Sequence, residues 1–123
     1  METKYKSFKE MPIWNEAMEV AEFIFRLTEN LPKKEDYGLT SQLRRSALSI
    51  SANIAEAFGR YHANDKINFY YFFRGSIAET QNHLEYGARV GYFQQDEIEP
   101  IYSKLGNMYE SIHKLIKSLK SQS

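Results

Sequence analysis

Few side chains in this sequence have the types and the spacing that metal binding requires. Glu110 and His113 form a Glu-x-x-His pair, which is part of the motif set that binds two iron or manganese ions inside four-helix proteins. A complete site needs a second such pair and further carboxylates, and the sequence contains no second Glu-x-x-His. Glu79 and His83 lie four residues apart, which places just two ligands on one helical face. We therefore predict no metal site and no cofactor, with these histidines and His62 at the surface or in hydrogen bonds.

Covalent catalysis also lacks its usual sequence signatures. The chain has no cysteine, which excludes thiolate nucleophiles and disulfide bonds. It contains no Gly-x-Ser-x-Gly turn, no phosphate-binding P-loop and no Gly-x-Gly-x-x-Gly dinucleotide motif. We predict that the protein is not an enzyme and acts on no small-molecule substrate. An enzyme of an unrecognised kind is the least favoured alternative.

The segment 38–60 carries a row of uncharged polar side chains beside a predicted core stripe. With about 100° of rotation per residue, the polar row faces the next helix, which has polar side chains of its own. We predict a polar network that fixes the register of the two helices. Its predicted members are Gln42, Arg45, Ser49, Asn53, Glu56, Ser76 and Glu79. We expect Glu79 to be buried and paired with Arg44 or Arg45, since a buried carboxylate needs a cationic partner. An active site built from the same groups is the alternative.

Another side of the same segment is small and apolar where a surface helix of a monomer would carry charge. Its residues are Leu48, Ser51, Ala52, Ala55 and Phe58. Serine and asparagine are mediocre helix formers, so helix propensity explains this composition poorly. We predict that this side is an interface with another copy of the chain. A helix with short side chains and no second contact is the alternative.

Basic side chains are the candidate contacts to nucleic acid. The candidates are Arg44, Arg60, Arg74, Lys114, Lys117 and Lys120. Rings of the aromatic run 69–73 could stack on bases, but five adjacent residues cover every face of a helix, so most are expected in the core. Basic residues number 16 and acidic residues 16, and this balance argues against strong general attraction to nucleic acid. Lysines also cluster at both ends of the chain, and the favoured interpretation of both clusters is solvated chain ends: Lys4, Lys6 and Lys9 near the start, and Lys114, Lys117 and Lys120 near the end.

Hydrophobic periodicity predicts four helices with short connections. They cover residues 13–31, 36–59, 65–92 and 96–119. Pro12 and Pro100 suit first turns of helices, and Gly59 suits the position just after one. Apolar residues between Ile101 and Leu119 recur in steps of four and three, as in a coiled coil. These elements predict an all-α fold, an antiparallel up-down-up-down four-helix bundle.

The length of 123 residues suits a single domain, 1–123, with short flexible termini. Hydrophobic residues make up 42% and aromatic residues 15%, which is typical of a globular protein and not of a disordered one. No apolar stretch approaches the roughly 20 residues of a membrane span, and the first residues lack the apolar run of a signal peptide. We expect a cytoplasmic protein that does not contact membranes.

Three stretches of the chain carry a family resemblance. They are PIWNEAMEVAEFIFRLTENLPKKEDYGL, QLRRSALSISANIAEAFGR and RGSIAETQNHLEYGARVGYF. On these motifs the chain resembles bacterial proteins that are encoded in intervening sequences of 23S ribosomal RNA genes, also grouped as an S23 ribosomal protein family. The resemblance covers nearly the whole chain. One departure is Ala57, which stands where that family usually has glycine.

The resemblance implies a four-helix bundle that assembles as a ring, with a pentamer favoured. It also implies a relation to the accessory protein of diversity-generating retroelements, a basic pentamer that binds a reverse transcriptase and nucleic acid. We accordingly expect a non-enzymatic, ring-forming interaction module with RNA or a nucleic-acid enzyme as its candidate partner. The alternative is a structural protein–protein adaptor that does not bind nucleic acid.

Overall fold

A computed structural model of the chain describes residues 5–122, with side chains to residue 121. The predicted flexible ends, including Lys4, lie outside the described residues. Four α-helices form the fold: Pro12–Thr28 (α1), Leu39–Phe58 (α2), Ala63–Arg89 (α3) and Gln95–Gln122 (α4). Single 3₁₀ turns at Phe8–Glu10 and Lys33–Glu35 precede α1 and α2. Within the described residues there is no β-strand, so the predicted all-α four-helix fold is confirmed.

The predicted helix ends were off by three residues at several turns. The helix α1 ends at Thr28, and the following 3₁₀ turn is separate from α2, which delays the start of α2 to Leu39. The helix α3 ends at Arg89 because Gly91 has a positive φ of 91°. The Gly91 and Tyr92 amides donate to carbonyls of Ala88 and Gly87 at 3.1 and 2.8 Å, which closes a Schellman turn.

The helices α2 and α3 make the most extensive contact of the bundle. Near the start of α2 the Ser46 and Thr80 hydroxyls lie 2.9 Å apart, and at its end the Lys66 ammonium donates to the Ala57 carbonyl at 3.0 Å. Residues early in α2 therefore meet residues late in α3, which is the order for helices that run in opposite directions. The contacts are consistent with the predicted bundle.

The core lies between the helices and takes one stripe from each of them. The stripe from α2 consists of residues without any exposed surface: Leu43, Ala47, Ile50, Ile54 and Ala57. Tyr70 and Phe73 of the aromatic run are also fully buried, whereas Tyr71 and Phe72 are exposed. Two rings of that run are therefore available at the surface of α3.

None of the described helices combines the length and apolar character that crossing a bilayer requires.

Candidate functional site

The middle of the predicted polar network forms between α2 and α3. The Ser49 and Ser76 hydroxyls lie 2.8 Å apart, and the Asn53 amide nitrogen donates to the Ser49 carbonyl at 2.9 Å. That nitrogen also lies 3.5 Å from the Ser76 hydroxyl, so the three side chains form one cluster. Their partial burial makes this cluster a packing contact that favours one register of the two helices.

Glu79 pairs with Arg45 as predicted, but the expectation that this carboxylate is buried is wrong. The Arg45 guanidinium donates to the Glu79 carboxylate at 2.8 Å and to the side-chain amide oxygen of Gln42 at 2.7 Å. The side chains of Arg45 and Glu79 are 59% and 39% exposed. The pair lies at the rim of the α2–α3 contact, where water reaches both partners. The His83 ring extends the cluster, with Nε2 lying 3.4 Å from the same carboxylate.

The observed network differs from the predicted one at two residues. Glu56 does not join it, since its carboxylate accepts a hydrogen bond at 3.1 Å from Arg60, which lies just beyond the end of α2. Thr80 was missed, although its hydroxyl bonds to the Ser46 hydroxyl and to the Ser76 carbonyl in the core. Thr80 follows Ser76 by four residues, and this spacing was the signal that could have revealed it.

The apolar side of α2 is exposed at its centre. Leu48 is 55% exposed and Ala52 is exposed one turn later, with Ala55 half-buried beside them. We call these three residues the α2 face. Ser51 does not belong to it, because this side chain is 2% exposed and bonds to the Leu48 carbonyl. Phe58 packs partly against the core, so it contributes less surface than predicted.

The α2 face continues into an open groove at the end of α2. The groove has a volume of about 530 Å³ and is lined by Ala52, Ala55, Glu56, Gly59 and Arg60. At its edge, the Arg60 guanidinium lies 4.8 Å from the centre of the Phe69 ring. This surface combines exposed aliphatic carbon with one ion pair, a composition common at interfaces between proteins.

The predicted nucleic-acid contacts separate into different places. Arg44 faces α1, where its Nε donates to the Thr28 hydroxyl at 2.8 Å and its guanidinium lies 4.4 Å from the Phe25 ring centre. Arg60 is paired with Glu56, and Lys114 lines a groove between α1 and α4. These three basic residues therefore do not form one surface.

The other three predicted basic residues line one groove between α3 and α4. This groove, the α3–α4 groove, has a volume of about 240 Å³. Its lining residues are Tyr71, Arg74, His113, Ile116, Lys117 and Lys120. The Arg74 guanidinium lies 5.0 Å from the Tyr71 ring centre and 5.2 Å from that of Tyr109. The structure thus joins Arg74, Lys117 and Lys120 with an exposed ring, which the sequence alone did not predict.

The histidines and carboxylates do not gather into a ligand set. Across residues 5–121, no three His, Asp or Glu side chains lie close enough together to hold a metal ion. The His113 ring faces Arg74, with Nδ1 lying 3.5 Å from the guanidinium. The Glu79 and His83 pair belongs to the rim cluster described above.

A contact of the Glu35 carboxylate between two of the helix connections was not predicted from the sequence. Glu35 accepts a hydrogen bond from the Leu39 amide at 3.0 Å and another from the Tyr92 hydroxyl at 2.8 Å. The amide bond, followed by the Tyr92 bond, lowers the pKa of Glu35. The same carboxylate raises the pKa of Tyr92, because it accepts a hydrogen bond from the protonated hydroxyl and so favours that form. The contact caps α2 and ties the α1–α2 connection to the α3–α4 connection.

Comparison with known proteins agrees with this arrangement of helices. No curated protein matches the sequence. A crystal structure at 1.70 Å resolution, of a protein with unknown function from the S23 ribosomal protein family of Bacteroides thetaiotaomicron VPI-5482, is similar with a TM-score of 0.76. Its sequence is 25% identical, and the match covers 85% of this chain and 98% of that one. Residues 9–118 match the model of a family described as 23S rRNA-intervening sequence protein. Since this match spans nearly all of the four helices, the chain belongs to the 23S rRNA-intervening sequence protein family.

Proposed function

We propose that this protein is a non-catalytic interaction module that associates with copies of itself through the α2 face. The observation that carries the proposal is Leu48, a large apolar side chain that is 55% exposed in the middle of a helix. Ala52 and the neighbouring groove extend its apolar surface along α2. Contiguous exposed apolar surface of this kind is typical of interfaces.

The proposed assembly is a ring, with five copies favoured. When an interface joins two different surface patches, each copy is rotated relative to the one before it. A ring forms if this repeated rotation brings the last copy back against the first. The α2 face lies on one side of the bundle, so it leaves other surfaces of each copy free for such a second patch. The family resemblance supports the number five.

Light scattering after size-exclusion chromatography tests this assembly. We expect the protein at micromolar concentration to have about five times the 14.5 kDa mass of one chain. Leu48→Glu places a charge in the proposed interface and is expected to yield folded monomers. Ser41→Glu adds the same charge to an exposed position of α2 and serves as the control. A wild-type mass of 14.5 kDa would rule the assembly out.

The proposed partner is RNA or an enzyme that acts on nucleic acid. The basic α3–α4 groove supports this part of the proposal, because a ring would repeat it in every copy. Since the net charge is zero, we expect weak binding, with dissociation constants of roughly 10⁻⁴ to 10⁻⁶ M at physiological salt. The second candidate is a protein–protein adaptor, which the balanced charge favours.

Fluorescence anisotropy with labelled RNA and DNA at several salt concentrations separates these two candidates. Binding through phosphates should weaken steeply as salt rises, because the protein releases counterions from the nucleic acid. Absence of binding at low salt favours the adaptor. Tight, salt-resistant binding to one RNA would instead require a specific site that the α3–α4 groove does not explain.

A further inference from the structure

We propose that the α3–α4 groove binds a nucleotide unit of single-stranded nucleic acid, with its phosphate on Arg74, Lys117 and Lys120 and its base on the Tyr71 ring. The proposal deepens the proposed function by naming a site and a form of ligand. It rests on that function only for the repetition of the groove in a ring. The groove itself is complete within one chain.

Two of the three cations that line this groove carry a charge that no ion pair among the described residues offsets. Within residues 5–121, neither Arg74 nor Lys117 forms an ion pair. The segment 108–121 of α4 contains three lysines and one acidic residue, Glu110. The overall neutrality of the chain therefore hides a local excess of positive charge, which attracts a phosphate group.

Arg74 is held in place by rings and not by an anion. Its guanidinium lies over the Tyr71 and Tyr109 rings, 5.0 and 5.2 Å from their centres, and Nη1 lies 3.5 Å from His113 Nδ1. Its Nε is buried without a hydrogen-bond partner. Buried polar groups normally have partners, so an unpaired one needs an explanation. Holding the guanidinium ready for an external anion is a reason to retain this arrangement.

The exposed ring distinguishes the proposed ligand from other anions. Tyr71 is 38% exposed, and the Lys120 ammonium, 5.9 Å from the centre of its ring, would move from the ring to the phosphate when a base stacks there. A base can stack on such a ring while the neighbouring cations contact its phosphate, and this combination is typical of proteins that bind single strands. A duplex keeps its bases stacked within the helix, so its base faces cannot reach the ring. An acidic peptide would use the cations but gain little from the ring.

Binding of a short labelled oligouridine to the full-length protein at low salt tests the proposal. Tyr71→Leu is expected to weaken binding roughly tenfold, because stacking of one base contributes about 1–3 kcal/mol. Tyr86→Leu removes another exposed tyrosine of α3 that lies outside the groove, and it should leave the affinity unchanged. Equal losses in both variants, or no loss in Tyr71→Leu, would overturn the proposal.

The phosphate contacts have their own variants. Lys117→Gln combined with Lys120→Gln changes exposed positions only, and it should reduce the dependence of affinity on salt. Arg74→Gln should weaken binding, whereas Arg89→Gln, the same change at an exposed position outside the groove, should not. Circular dichroism on each variant confirms that the helices remain. Salt dependence equal to that of the wild type in the double lysine variant would contradict the proposal.

The form of the ligand is tested with competitors. Unlabelled single strands should displace the probe, while a duplex of the same length should compete much less well. Equal competition by the duplex, or no binding of the probe to the wild type at low salt, would overturn the inference. Light scattering on the same samples reports assembly independently. Monomers that bind the probe would refute the ring and leave the groove intact.

Discussion

At the scale of single residues, burial determines what each polar contact contributes. The Arg45–Glu79 ion pair is short, but water reaches both side chains. The hydrogen bond between Ser46 and Thr80 involves uncharged groups and has no exposed surface. Because solvent screens exposed pairs, the neutral buried bond is the more important of the two for stability.

We expect Glu79→Ala to lower the free energy of unfolding by less than about 1 kcal/mol, as is typical of exposed ion pairs. Removing one partner of a buried ion pair would lower the free energy of unfolding by roughly 3 kcal/mol, but this pair is not buried. Thr80→Val should cost more, about 1–2 kcal/mol, because it removes a buried hydroxyl from two hydrogen bonds. Urea denaturation of both variants measures the difference, and the reverse order would contradict this account.

The Glu35 contact makes stability dependent on pH. Its pKa in the folded state lies below the ordinary value of 4.5, so its stabilisation is fully present above that value. The stabilisation is then lost as the pH falls through the lower, folded-state value. Glu35→Gln should remove this part of the acid dependence, and Tyr92→Phe should reduce it by removing one donor. Denaturation curves between neutral pH and pH values below 4.5 test the expectation. Identical acid dependence in wild type and Glu35→Gln would show that the contact is not formed in solution.

At the scale of helices, the glycines of α3 and its end have different roles. Gly91 provides the positive φ of the Schellman turn, whereas a Cβ at Gly75 would have no atom within 4 Å. A Cβ at Gly87 would collide with the Phe93 ring, so this glycine permits close packing. Close packing of a neighbouring side chain therefore accounts for Gly87 and not for Gly75.

Gly91→Ala should destabilise the protein by about 1 kcal/mol, since residues with a Cβ rarely adopt a positive φ. Gly75→Ala is the matched control, because it adds the same methyl group inside a helix and in open space. It should stabilise the protein by about 0.5–1 kcal/mol. Thermal unfolding of the two variants measures both signs. If Gly91→Ala were as stable as the wild type, the turn would not require a positive φ.

At the scale of the whole molecule, the bundle has surfaces of different character. The α2 face is apolar, the α3–α4 groove is basic, and each lies on a separate side of the core. Neither surface interrupts the packing of the helices. Substitutions there can therefore test assembly and binding without unfolding the chain, whereas residues that also contact the core cannot.

Phe58 illustrates this distinction and is a poor position for testing assembly. Because its ring packs partly on the core, Phe58→Glu should lower the free energy of unfolding by about 2 kcal/mol as well as affect the interface. Leu48→Glu should change the free energy of unfolding of the monomer by less than about 0.5 kcal/mol, as is usual for surface positions. Circular dichroism during urea titration compares the two variants. Equal stability of both would mean that the Phe58 ring does not contribute to the core.

The fold was more predictable than the candidate sites. Hydrophobic periodicity identified four helices and the α2 core stripe, because the period of an α-helix is a local property. It did not predict that Arg74, Lys117 and Lys120 share one groove, since this depends on how α3 and α4 pack. It also did not distinguish buried Ser51 from exposed Leu48, three residues earlier on the same side of α2.

Contiguous residues thus contained enough information for the helix count, the family and the absence of cysteine chemistry, because periodicity and motifs do not depend on distant contacts. The exposure of a side chain and its hydrogen-bond partners depend on how the neighbouring helices pack. Arg44 contacts α1 while Arg45 reaches α3, although the two residues are adjacent and chemically identical. A rotation of about 100° between neighbouring residues directs them to different helices, and only the packing of those helices determines which side chain finds an acceptor.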